Sequence, residues 1–160
     1  MATEIRLMTA DDIPQVVRII SSHVSEDGEY ASQYYTRCFQ RDAAEASREC
    51  NYVALDANGA VVGVCGYGPD KYQTPGVLWL SWFYVAKSVQ GTLVGYRLYE
   101  RCLRDARELK TRKFCLDTCN YQAYAKAIRF YRSAGFRLEG TLENYYGPDD
   151  HMLIMGLELD

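Results

Sequence analysis

The chain has 160 residues, 48% of them hydrophobic, and a formal charge of −3. That length suits one domain over residues 1–160 with a substantial core, and the composition excludes a disordered chain. The slightly acidic balance argues against nucleic acid or an anionic membrane as partner. No apolar run approaches the length of about 20 residues that a membrane-spanning helix needs. The N-terminus lacks a basic segment followed by an apolar one, so the expectation is a soluble, cytoplasmic protein without a signal peptide. Six cysteines (Cys38, Cys50, Cys65, Cys102, Cys115, Cys119) include no CxxC and lie mostly in apolar runs. They read as thiols of a reducing compartment rather than as a disulfide framework.

Taken in order, Glu4 to Met8 alternates polar and apolar and predicts a first strand. Thr9 with Asp12 three residues on has the spacing of a helix-opening capping box, and Ile13, Val16, Val17, Ile20 and Val24 share one helical stripe. The polar segment His23–Tyr30 breaks that pattern. A second helix is predicted from about Ala31 to Ala46, with Tyr34, Tyr35, Cys38 and Phe39 inward. Next comes a hairpin: Asn51–Leu55, a turn at Asp56-Ala57-Asn58-Gly59, and a return strand Ala60–Tyr67. Gly63, Gly66 and Gly68 punctuate the return strand and predict a bulge or a close backbone approach. Gly68–Gly76 is a loop.

Val77–Val85 is apolar or aromatic except for Ser81, as in a strand buried on both faces. It runs through the turn Ala86–Val89 and Gln90-Gly91-Thr92-Leu93-Val94-Gly95 into a helix, whose inner face is Val94, Leu98, Cys102, Ala106 and Leu109. A strand that turns through glycines into a helix N-terminus leaves first-turn N–H groups free and is suited to an anion such as phosphate. The charges on that helix, with Glu100, Asp105 and Glu108 among five basic residues, read as a salt-bridged solvent face. Lys113–Thr118 is a further buried strand, Ala123–Ala134 a helix closed by Gly135. Phe136–Leu142 and Met152–Leu159 are final strands joined by a loop, Glu143–His151. The order βααβββαβαββ predicts an α/β (α+β) fold: a mixed sheet of six or seven strands flanked by about four helices.

The glycines do not fit other phosphate-binding grammars. Gly91 and Gly95 are one residue too close for a Walker A loop and are followed by Tyr96-Arg97 instead of Lys-Ser. Gly63–Gly68 has the wrong order for a dinucleotide fingerprint. What does fit is the GNAT superfamily of acetyl-CoA-dependent N-acetyltransferases. Val85-Ala86-Lys87-Ser88-Val89-Gln90-Gly91-Thr92-Leu93-Val94-Gly95 resembles its V-x-P-x-x-[Q/R]-G-x-G-x-G/A pattern, and Phe130-Tyr131-Arg132-Ser133-Ala134-Gly135-Phe136 resembles its FYxxxGF junction. The order of elements resembles a single GNAT-like domain along nearly the whole chain. Leu93 replaces a usual glycine and Lys87 a common proline. Tyr124 stands where many relatives carry a CoA-contacting asparagine, with Asn120 four residues earlier.

The resemblance implies acetyl-CoA as cofactor and acyl transfer to a primary amine by direct attack in a ternary complex. It implies that the strand Leu78–Val85 splays from Lys113–Thr118 and takes the pantetheine arm on backbone amides of Phe83, Tyr84 and Val85. Gly91, Thr92, Leu93, Val94, Gly95 and Tyr96 would cradle the pyrophosphate with Gln90, Asn120 is a further candidate contact, and Tyr131 is the proton donor to the leaving thiolate. For the base, the strands offer Ser81 and Asp117 and no glutamate; Glu143, Asp149, Asp150 and His151 are alternatives. Tyr30, Tyr34, Trp79, Ser81, Tyr145 and Tyr146 are candidate substrate contacts, the last two within Glu143-Asn144-Tyr145-Tyr146, which resembles the loop of relatives that acetylate protein N-termini. The acceptor is then a small amine or a peptide, and the tyrosine cluster serves either it or a homodimer interface. No metal is expected. A non-catalytic CoA-binding module on the same fold is the alternative reading.

Overall fold

The computed structural model describes residues 4–41 and 49–159. Seven strands form one sheet in the order β1-β2-β3-β4-β5-β7-β6. They are β1 (Glu4–Leu7), β2 (Cys50–Leu55), β3 (Val61–Gly68), β4 (Val77–Val85), β5 (Lys113–Cys119), β6 (Arg137–Gly147) and β7 (Asp150–Glu158). Four helices flank it: α1 (Ile13–Ser21), α2 (Ser25–Gln40), α3 (Val94–Glu108) and α4 (Ala125–Ser133). All neighbouring strands are antiparallel except β4 and β5.

The sheet buries both faces. Val16, Ile19 and Ile20 of α1 and Ala31 and Tyr35 of α2 pack on Val53, Leu55, Val61 and Val64. Leu98, Cys102 and Ala106 of α3, and Tyr131 of α4, pack on Ala54, Cys65, Leu80, Phe114 and Leu116 on the other side. The capping box forms: the Thr9 N–H donates to Asp12 Oδ2 at 2.8 Å. Asp12 also takes both ends of the Arg6 guanidinium, at 2.7 and 2.8 Å. In the β2–β3 turn, Gly59 adopts φ +79°, and Asp56 Oδ1 accepts the N–H groups of Asn58 and Ala60.

The glycines of β3 mark a bulge. Ser81 and Trp82 together oppose Gly66, so β4 carries one extra residue against β3. A Cβ on Gly66 would fall 2.1 Å from Asn51 Oδ1 and 2.6 Å from Ser81 Oγ. The extra residue changes the phase of β4: Leu78 and Leu80 before it, and Phe83 and Val85 after it, all face α3 and α4, while Trp82 and Tyr84 face α1 and α2. A bulge also increases local twist, and β4 leaves β5 soon afterwards. Their pairing covers only Val77–Trp79 against Lys113–Cys115.

Five expectations are corrected. Helix α2 begins at Ser25, inside the polar segment taken as a break, and the predicted stretch to Ala46 runs beyond the described residues. Gly28 explains the polar, small-residue start: a Cβ there would lie 1.7 Å from Ser21 Oγ and 3.2 Å from Ser21 Cα, so glycine lets α1 and α2 touch. Phe39, predicted inward, is exposed. Leu109 is exposed because α3 ends one residue earlier. Asp105 is buried rather than on a solvent face, accepting Tyr52 (2.5 Å) and Tyr67 (3.1 Å) and pairing with Arg101. The Glu143–His151 loop is mostly strand, with β6 and β7 reaching almost to the turn at 148–149. Polar side chains close that tip without an apolar pattern: Asn144 Oδ1 accepts the Asp149 N–H, and the Asn144 N–H donates to His151 Nδ1.

Candidate active site

The gap between β4 and β5 organises the site. The Ala86 N–H donates to Val62 C=O at 2.8 Å. Antiparallel alternation then places Tyr84 on a hydrogen-bonded rung with Val64, and turns the N–H and C=O groups of Phe83 and Val85 away from β3, into the gap. Of the three backbone positions expected to face a ligand arm, two therefore do. Tyr84 presents its side chain instead. His23, just beyond α1, reaches the same edge: its Nε2–H donates to Val85 C=O at 2.8 Å.

Beyond Val85 the chain makes a short turn, Lys87–Val89, and enters α3. Gly91 has φ +78°, a conformation costly for residues with a Cβ. The Arg97 N–H is the first of α3 to reach a helical acceptor, Leu93 C=O, so the Gly95 and Tyr96 N–H groups at the start of the helix have none within it. Leu93 is 71% exposed; its side chain points to solvent and does not crowd the loop. Thr92 Oγ1 donates to Val89 C=O at 2.6 Å and stiffens the turn. Lys126 Nζ, from α4, donates to Gln90 Oε1 at 3.2 Å, which leaves the Gln90 amide N–H groups to donate elsewhere. An anion at this loop meets free N–H groups, the positive end of a helix and a lysine.

Tyr131 comes up beneath the gap from α4. Its ring packs with Phe83 (6.2 Å), Phe130 (6.0 Å) and Phe136 (5.9 Å). The residue is 7% exposed, and its hydroxyl makes no hydrogen bond among the described residues. Burial holds its proton well above the ordinary tyrosine range, with Cys65 and Asp117 adding to the effect. Asp117 lies on β5 past the last rung shared with β4. Its neighbours Leu116 and Thr118 alternate with it, so it faces the side of the sheet that carries α1 and α2. The residue is exposed, while desolvation by the groups packed around the carboxyl raises it above the usual range.

A carboxylate hidden in the polar segment completes the groove. Asp27, in the first turn of α2, accepts two tyrosine hydroxyls on one oxygen, Oδ2: Tyr84 from β4 at 2.5 Å, and Tyr124 from the turn before α4. Tyr124 stacks on Tyr121 (centroids 6.0 Å, 15° between planes), and Tyr121 Oη donates to Asp150 at 3.2 Å. Tyr146 stands close by, its hydroxyl pushed up to about 12 by burial first and then by Asp117, Cys119, Tyr145 and Asp27. Tyr145 packs edge-on against Tyr146 at 4.9 Å.

The remaining expected residues are placed as follows. Asn120 has both ends of its amide on the β6–β7 hairpin: Nδ2 donates to Asp149 C=O and Oδ1 accepts the His151 N–H. It clamps that hairpin beside the groove. Ser81 Oγ is shut off from solvent at the bulge without a partner among the described residues, so it cannot meet a substrate. Tyr34 packs between Tyr35 (5.1 Å) and Trp82 (6.5 Å), and burial raises its hydroxyl. Trp79 sits half-buried on the last β4–β5 rung. Tyr30 is exposed on α2. Asp27, His23, Tyr121 and Lys126 were not singled out from sequence, and Tyr124 was noted only as the residue in place of the relatives' asparagine; the stretch Ser25–Tyr30 carried an acidic first turn before a glycine, the one signal for Asp27. All six cysteines are free thiols.

A sheet opened along one strand, above a glycine turn into a helix, defines an acyltransferase that draws on a coenzyme A thioester. Residues 16–136 match the acetyltransferase (GNAT) family. A protein of Bacillus subtilis subsp. natto (strain BEST195) named "Probable spermine N(1)-acetyltransferase" is 30% identical over 107 residues, which are 62% of this chain and 69% of that protein. A GNAT-family acetyltransferase structure from Desulfovibrio desulfuricans superposes with a TM-score of 0.86 at 26% identity, over 98% of this chain and 99% of that one. An aminoglycoside 6'-N-acetyltransferase solved with coenzyme A superposes at 0.76 and 15% identity, over 97% and 96% of the two chains. The chain belongs to the acetyltransferase (GNAT) family. Among the described residues no helix is long and apolar enough to cross a membrane.

Proposed function

We propose that the protein transfers an acetyl group from acetyl-CoA to a primary amine, by direct attack within a ternary complex. The observation that carries this reading is the Tyr131 hydroxyl, held by a buried ring beneath the open edge of β4, without a hydrogen-bond partner among the described residues and within electrostatic reach of Asp117. Acetyl-CoA supplies the activated acetyl thioester. The Phe83 backbone groups and the Val85 N–H bind its arm, as a sheet edge binds an added strand, while His23 holds the Val85 C=O. N–H groups of the Gly91–Tyr96 turn orient the phosphates, with Gln90 and Lys126 beside them. Asp117, its carboxyl raised by desolvation, takes a proton from the incoming amine; Tyr131 holds one at Oη for the departing sulfur. Asn120 acts as a positioning residue that holds the β6–β7 hairpin against the groove.

The acceptor enters on the α1–α2 side, where Asp27, Tyr124 and Tyr146 line the way. A small amine and a peptide N-terminus both satisfy the chemistry; the name of the Bacillus relative supports the former. Free thiols fit a cytoplasmic setting, and the exposed Tyr145–Tyr146 edge is available to a second copy of the chain. The test is thiol release on mixing with acetyl-CoA and a panel of polyamines, amino acids, aminoglycosides and N-terminal peptides. Amine-dependent release is expected. Tight CoA binding with no turnover of any amine overturns the reading.

A further inference from the structure

We propose that Asp27 determines acceptor specificity, its free carboxylate oxygen holding a second ammonium group so that the preferred acceptor is a di- or polyamine. The inference rests on the amine-acetylating reading above. Both tyrosine hydroxyls bond Oδ2, so Oδ1 has no partner among the described residues. No lysine or arginine is paired with this carboxylate among them either. Two neutral donors fix the group in place without cancelling its charge, which leaves a preorganised anion at the groove wall. The surroundings suit a cation: Tyr124 and Tyr121 present stacked rings, with Asp150 tied to Tyr121. Ammonium groups are stabilised against aromatic faces as well as by carboxylates.

A second observation independently marks the groove as a ligand site. Tyr131 is more than nine-tenths buried with an unpartnered hydroxyl, and the charge of Asp117 bears on both that hydroxyl and Tyr146. The reactive amine thus belongs at the Asp117–Tyr131 end and the second charge at Asp27. A peptide N-terminus fits less well. Beyond its amine stands a neutral amide, which leaves the charge of Asp27 unanswered.

The experiment compares acceptors of equal length and different charge, with saturating acetyl-CoA: 1,4-diaminobutane against n-butylamine, and spermidine against an alanine-first tripeptide. In the wild type kcat/KM is expected to favour diaminobutane over butylamine at least tenfold, the scale of one hydrogen bond to a charged group (roughly 1.5–3 kcal/mol). In D27N that ratio falls about tenfold, mainly through KM, while D27E retains a preference for the diamine. A wild-type measurement guards against a misfolded variant: raising the ionic strength should increase KM for diaminobutane more than for butylamine. Equal use of both amines by the wild type overturns the assignment, as does a folded D27N with an unchanged ratio, or a salt response the same for both amines. Each of these leaves the acetyltransferase reading standing. Absence of turnover with every amine overturns that reading instead.

Discussion

Replacing Tyr131 by phenylalanine separates a catalytic hydroxyl from a packing ring. The ring contacts to Phe83, Phe130 and Phe136 survive the change. What is lost is a hydroxyl that bonds no described residue and is not among the polar atoms shut off from solvent. Removing a hydroxyl that breaks no hydrogen bond should change stability little. For a chain of this size 1 kcal/mol is about 2–4 °C in Tm; Y131F is expected to melt within about 4 °C of the wild type. The rate should fall. A thiol with pKa near 8.5 needs little help to leave, and burial makes Tyr131 a weak acid. The loss in kcat is therefore put at the low end of general-acid effects, about 10- to 100-fold. Tyr52→Phe is the control. Its hydroxyl donates to buried Asp105 at 2.5 Å and accepts from Arg101 at 3.0 Å, so its loss should cost about 2 kcal/mol and about 4–8 °C with kcat unchanged. Scanning calorimetry and thiol-release kinetics measure both. A Y131F enzyme within threefold of the wild-type rate, or one destabilised as much as Y52F, would refute the assignment of Tyr131 as the acid.

Other consequences follow from the same geometry. Gly28→Ala drives a Cβ into Ser21; overpacking at a helix crossing should cost about 1–3 kcal/mol. It should also weaken diamine selectivity by shifting Asp27, so a wild-type melting curve for G28A would argue against the close α1–α2 approach. For Asp117 the raised carboxyl means that the base is lost as pH falls through that raised value. The pH profile of kcat/KM should show an acidic limb above the ordinary aspartate range, and D117N should lower the rate and abolish the limb. Asp12 has the opposite shift, lowered first by Arg6 and further by Thr9. Its stabilisation is present above the unfolded-state value near 3.9 and fades as pH falls through the lower folded one. D12A should therefore cost about 2 kcal/mol at pH 7 and progressively less as pH falls below the unfolded-state value of about 3.9, read from urea midpoints.

The strand Val77–Val85 and the turn into α3 were legible because both reasons for them are local. A continuous apolar run needs burial on both faces, and glycine at 91 meets a positive φ. Tyr131 was legible through its motif, and its inward face through helical spacing. Asp27 was not. In sequence it lies in a polar run that interrupts one apolar stripe, and only the packing of α1 on α2 at Gly28 makes that run helical. Asp105 misled for a related reason: charge alternation along α3 predicts exposure, while the hydroxyls of Tyr52 and Tyr67, from two strands, make its burial affordable.

By itself, then, the sequence determined the order of elements, the glycine turn into α3 and the inward tyrosine of α4, since each depends on residues close together in the chain. Only the tertiary structure decided the rest. The bulge at Ser81–Trp82 shifts the phase of β4 against Gly66, and β4 parts from β5 after three rungs; around that opening Asp27 bonds Tyr84 and Tyr124, and Asp117 comes within electrostatic reach of Tyr131 and Tyr146. Side chains that distant in the chain meet through sheet register and helix packing, and neither leaves a periodic trace in any one segment.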